Sequence, residues 1–272
     1  MVESKVFSLI QNECLFAQDL LSLGVNQLSK ADIFHKGIYY QCLTTLSTGI
    51  ERLQKLIIVL DKYKTDGTFL SENELKRLGH SIVLLYNQCD TIGKKYNIST
   101  DFSETQQIYD EIIETLSLFA SYEKENRYYN LNYLSIVNDE NGDLPKDCIY
   151  MWHEKVDGYI WENKIPDKIK RKLICNSMAL GNMINEGARI SFESETREEI
   201  SDGTDMLLNI NVSDVCKKYR RLYVVQIIRY LSNILNCFSQ DMKDENIPYL
   251  PDFFLMFRLM DEDILRRKTY NI

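Results

Sequence analysis

The sequence predicts an all-α protein, a helical bundle with further C-terminal helices packed on it, and three observations carry that expectation. Breakers are few, with 4 Pro and 11 Gly in 272 residues, which favours long helices over a many-turned β fold. Apolar residues recur at three- and four-residue spacing over long runs, the period of one helix face. Two of those runs are headed by Ser with Glu or Gln three residues on, the pattern of a capping box.

Taken in order, Val6, Leu9, Ile10, Cys14, Ala17 and Leu21 give a first helix ending near Leu28. From Ile38 to Tyr63, the seam Leu43, Leu46, Ile50, Leu53, Ile57, Leu60 gives a second, and Gly49, Leu56 and Val59 widen its apolar arc until little solvent face remains. TDGT breaks it. Ser71 with Glu74 then starts a helix with Leu75, Leu78, Ile82, Leu85 and Cys89 on one seam, and Ser103 with Gln106 starts another that runs toward Arg127. NDENGDLPKD, residues 138–147, reads as a linker between an N-terminal bundle, 1–137, and a C-terminal helical part, 148–272. Whether that part is separate or shares the first core stays open at this point.

Beyond the linker, a shorter helix covers DCIYMWHEKVDGYIW, and Pro166 suits the first residue of a helix through Ala188. Residues 193–205 are polar and read as an exposed loop, and MLLNINV, 206–212, as the one strand. Ser213 is placed as the cap of a long helix reaching Phe238, followed by two prolines and an aromatic-rich ending.

The formal charge of −8 and the pI near 5.1 exclude nucleic-acid coating by bulk electrostatics, so any such contact must be local. Seven cysteines without CxxC or Cys/His clustering read as reduced thiols of a cytoplasmic protein, with no metal site and no cofactor. No window approaches the ~18 to 20 uninterrupted apolar residues of a membrane span. P-loop, GxGxxG, GxSxG and HExxH motifs are missing, which sets aside P-loop nucleotide hydrolysis and hydrolase triads.

Four residues are the candidate catalytic set. Glu51 and Lys55 stand four apart on the crowded second helix, either as an exposed ion pair worth ~0.2 to 0.5 kcal/mol or as charges held in a site. His80 follows Gly79 opposite the Leu seam, and imidazole exchanges a proton near neutral pH. Arg127 falls at a helix C-terminal end, where a cation also suits the helix dipole. His35 and His153 have weaker claims, His153 as part of packing beside Trp152. The basic runs at 168–172, 217–221 and 265–268 each read as a solvated helix face. Together they could form a local phosphate strip, with Arg266, Arg267 and Lys268 its most pointed part.

STGIERLQKLIIV, LKRLGHSIVLLY, RYYNLNYL, and PYLPDFFLMF followed by LRRKTY together resemble the HEPN superfamily, all-α domains of prokaryotic defence and toxin systems; the resemblance covers about residues 38 to 135 and 248 to 272. It implies RNA as partner, a homodimer or a hetero-complex with a defence or toxin partner, and metal-independent ribonuclease activity from an Arg followed four to six residues later by His. That motif is missing: no Arg precedes His35, His80 or His153 at that spacing. Two readings follow. One is a ribonuclease with a rearranged site, with His80 as acid/base, Arg127 and Lys55 as phosphate stabilisers and Glu51 as orienter. The other is a non-catalytic helical module, an antitoxin or accessory subunit that binds a partner protein.

Overall fold

Two long helices with broad buried stretches set the architecture, because such stretches must be covered by others. In the computed structural model, which describes residues 4–121, 128–136, 147–241 and 246–270, these are α2 (Lys36–Asp66) and α10 (Gly203–Asp241). α2 packs on α1 (Lys5–Leu28), α4 (Ile82–Lys95), α5 (Gln106–Ala120) and α10, which explains its missing solvent face. Close approach to α1 needs two glycines. A Cβ on Gly24 would stand 2.6 Å from Leu46 Cγ, and one on Gly49 would stand 2.8 Å from Leu21 Cγ.

The remaining elements are α3 (Glu72–Arg77), α6 (Tyr129–Ile136), α7 (Cys148–Met151), a π-helical turn (Trp152–Asp157), α8 (Gly158–Lys164), α9 (Asp167–Gly187), the antiparallel pair β1 (Phe192–Glu193) and β2 (Glu199–Ile200), a 3-10 segment (Leu250–Phe257) and α11 (Asp261–Arg266). The chain is therefore all-α apart from one two-stranded hairpin among the described residues. One hydrophobic cluster runs from Ile10 to Tyr270 and takes in α1, α2, α4, α5, the π turn and α10, so residues on both sides of 138–147 share it. Each fully buried Leu or Ile in it contributes ~1.5 to 3 kcal/mol. No helix among the described residues is long and apolar enough to cross a membrane.

Local signals placed several ends well. Ser71 caps α3 with both halves of the capping box formed, and Pro166 stands immediately before α9. Elsewhere tertiary context overrode them. The helix expected from Ser71 through Cys89 is two helices, since Gly79 takes φ +64 and Ser81 caps a new start. Ser103 makes no capping box; Thr105 holds the N-cap of α5, and Ser103 Oγ instead accepts from Gln226 Nε2 at 3.0 Å. α5 ends at Ala120, and Arg127 lies outside the described residues, as does the linker apart from Asp147. Asp147 is the N-cap of α7, its Oδ1 accepting from Tyr150 N at 2.7 Å.

The expected strand 206–212 is helical, forming the first turns of α10, because its apolar residues pack against α9 and the hairpin. Ser213 is correspondingly inside that helix and buried; its hydroxyl accepts from Arg220 Nη2 at 3.3 Å instead of capping. The expected exposed loop 193–205 contains the hairpin, whose turn buries Ser194 and Glu195.

Candidate functional site

His80 owes its position to the break between α3 and α4. Gly79 in the left-handed region turns the chain, and the imidazole reaches across to α2. There His80 Nδ1 lies 2.9 Å from Glu51 Oε1, and Lys55 Nζ donates to that same oxygen at 2.8 Å. The carboxylate is the hub, sheltered at 17% side-chain exposure with Lys55 at 22%, while the imidazole is 61% exposed. With Glu51 accepting, the proton sits on Nδ1, which fixes ring orientation and tautomer as carboxylate partners of working histidines do. Three of the four sequence-selected residues thus meet, and Arg127, outside the described residues, is the fourth.

Lys55 also borders an apolar groove of about 490 Å³ between α1, α2 and the segment of Phe69 and Leu70. Arg52 stands at its edge and is held by Glu13, Nη1 donating to both carboxylate oxygens at 2.8 and 2.9 Å.

The basic runs behave differently from one another. Lys217, Lys218 and Arg221 of α10 converge with Arg266 and Lys268 on one cleft of about 590 Å³, floored by Ser29 and with Asp214 as its carboxylate. Arg221 is anchored, donating to Ser29 Oγ at 2.9 Å and to the carbonyls of Ile264 and Leu265 at 3.3 Å. Burial lowers its pKa from the ordinary arginine value. Lys217 pairs with Asp214 at 2.6 Å. Arg267, chosen from the sequence alongside its neighbours, does not line the cleft: its Nε donates to Thr269 O at 2.8 Å and its guanidinium lies 4.9 Å from the Tyr270 ring centre.

The two centres lie apart along α1, one beside its middle and the other at its C-cap. Glu13 marks one through Arg52 and Ser29 the other, and 16 residues at ~1.5 Å each put them about 24 Å apart along that helix.

Sequence reasoning missed a second polar cluster in the core. Arg220, wholly buried in spite of its place in a run read as a solvated face, grips Asp157 at two points: Nε donates to Oδ1 at 2.5 Å and Nη2 donates to Oδ2. His153 Nδ1 adds a contact to Asp157 Oδ2 at 3.2 Å. Buried Glu195, delivered by the hairpin turn, accepts from Tyr39 OH at 3.4 Å. Burial opposes ionisation of Asp157, but the Arg220 charge and the His153 bond outweigh it and hold its pKa below the usual range. For His153, burial opposes protonation and the Asp157 bond and charge, with Glu195, prevail, so its pKa is raised. The available signal was the i, i+4 spacing of His153 and Asp157; their Arg partner lies 63 residues away from Asp157.

No group of three or more His, Cys, Asp or Glu among the described residues is arranged to hold a metal ion. Comparison with protein-family models, with curated proteins and with solved structures finds no match.

Proposed function

We propose that this is an RNA-binding helical protein of HEPN-like type that grips the phosphate backbone in the cleft of Lys217, Lys218, Arg221, Arg266 and Lys268. One observation carries the reading: two basic runs far apart in sequence meet on one concave surface of a chain whose net charge is −8. Asp214 pairs with Lys217 there, which leaves Lys218, Arg266 and Lys268 beside the anchored Arg221, and phosphate contacts need only a few placed cations. The test is fluorescence anisotropy with a labelled single-stranded RNA over a salt series, beside a Lys218→Ala, Arg266→Ala, Lys268→Ala triple variant. Binding should weaken in the variant, and the log–log salt slope should fall by about 0.7 for each phosphate no longer neutralised. Equal binding and slope in the two proteins would overturn the proposal.

A second reading, metal-independent endoribonuclease, is favoured by the shared Glu51 oxygen. A His80 oriented by Glu51 could take the 2′-hydroxyl proton while Lys55 and Arg127 offset charge on the phosphorane. Cleavage of transfer or messenger RNA in EDTA should then be lost in His80→Ala and reduced in Arg127→Ala. Binding without cleavage would leave the non-catalytic interaction module as the reading.

A further inference from the structure

Three arginines of α10 are buried, and two of them face acids. Arg220 is gripped by Asp157, and Arg229 stands 2.7 Å from Asp101 and 3.0 Å from Asp261. Arg221, at 5% exposure, is the exception. Its guanidinium donates to neutral acceptors, Ser29 Oγ and the carbonyls of Ile264 and Leu265, and no carboxylate among the described residues pairs with it. Those bonds use Nε and one N–H of each terminal nitrogen, so one N–H on each terminal nitrogen remains for two oxygens of a single anion. A cation so far out of water is costly unless an anion reaches it.

The surroundings of Arg221 say where that anion sits. Arg221 lines the cleft of about 590 Å³ that Lys218, Arg266 and Lys268 also line, and those three are exposed. The edges of the cleft are acidic. Lys217 is neutralised between Asp214 at 2.6 Å and Asp32 at 3.8 Å. Glu262 and Asp263 are exposed on α11, four and three residues before Arg266, a rise of about 4.5 to 6 Å. Cations inside and carboxylates at the edges admit one compact anion and repel the next phosphate of a strand that continues past it. An internal phosphodiester carries a single charge and has chain on both sides. A terminal phosphate monoester carries about −1.5 to −2 at neutral pH, offers three free oxygens, and has chain on one side only.

We propose that the cleft is a site for a terminal phosphate monoester, with Arg221 as its fixed counter-charge and Lys218, Arg266 and Lys268 as the exposed donors to its free oxygens. The proposal rests on the reading that this cleft takes phosphate, and it changes what is recognised, from the length of a strand to its end. A free mononucleotide carries the same chemistry, and the experiment separates the two sources.

The test is fluorescence anisotropy with a short single-stranded RNA, labelled internally and made with a 5′-phosphate, a 3′-phosphate or hydroxyls at both ends. Wild type should bind one phosphorylated form about tenfold more tightly than the hydroxyl form. Arg221→Gln should abolish that preference, with circular dichroism confirming the fold. Lys218→Ala combined with Lys268→Ala, both at exposed positions, should reduce it and decides the matter if Arg221→Gln does not fold. Adenosine monophosphate is tested alongside as a ligand that raises the unfolding temperature. If the three RNAs bind equally but the nucleotide stabilises wild type and not the variants, the monoester site stands and its ligand is a free nucleotide. Equal binding of the RNAs with no stabilisation by the nucleotide would overturn the inference and leave backbone recognition as the reading of the cleft. A preference unchanged in the folded variants would overturn it as well.

Discussion

His80, Glu51 and Lys55 near the surface, and His153, Asp157 and Arg220 in the core, are both an imidazole and a cation sharing one carboxylate, and they differ in depth and in the choice of cation. Arg220 and Asp157 have side-chain exposures of 0% and 1%. There water cannot substitute for a missing partner, and arginine's planar fork fills both carboxylate oxygens at once. Glu51 and Lys55 keep 17% and 22%, and lysine makes a single movable contact. The core trio is obliged to stay paired; the outer trio is able to exchange partners. Polar residue type alone therefore does not mark a working site, and access does.

The sharpest way to break this comparison is at Arg220. Arg220→Leu leaves Asp157 buried without its guanidinium and should destabilise the fold by ~3 to 5 kcal/mol, read as the midpoint of urea unfolding. Adding Asp157→Leu should recover most of that loss, because a buried pair replaced by apolar groups of similar volume is close to neutral. A single variant that costs under ~1 kcal/mol would mean that water reaches Asp157, and the contrast in depth would collapse.

The depth itself was not legible in the sequence, for a physical reason. KKYRR has the look of a solvated face, and what makes Arg220 internal is that α10 from Arg220 onward is covered by helices distant in the chain, α2 among them, while Lys218 two residues earlier stays exposed. Packing on α9 and the hairpin turned the apolar run 206–212 into helix instead of strand. By contrast, the seam of α2, the Ser71 capping box and the start of α9 rest on residues within four positions of each other, and those were readable. Of the outer trio, the spacing of Glu51 and Lys55 was readable as a helix pair. The joining of His80 to them needed the turn at Gly79, whose φ of +64 splits what periodicity alone made one helix.

A middle-sized effect separates the two imidazoles by pH. His153 has a raised pKa in the fold, so the folded state binds its proton more tightly than the unfolded chain does. The stabilisation is present in full below the unfolded value of ~6.5 and is lost as pH rises through the folded one. Unfolding measured across that window should show wild type losing stability toward alkaline pH relative to His153→Gln, with the variant ~1 kcal/mol less stable near pH 6. Parallel profiles would show that the ring does not gain from Asp157.

The smallest effect belongs to Glu51. Glu51→Gln removes the charge to which Lys55 and His80 both attach, but both partners reach water, so the expected loss of stability is under ~1 kcal/mol. If the outer trio only holds α2 to the α3–α4 turn, that small loss is the whole phenotype, and Gln, which keeps one acceptor oxygen, retains most of the packing. If it moves protons, the same substitution changes the tautomer and basicity of His80, and any RNA cleavage should fall far more than stability does. The ratio of the two losses, measured on one variant, distinguishes a strut from a working site. A Glu51→Gln variant destabilised as much as Arg220→Leu would place Glu51 with the core trio instead.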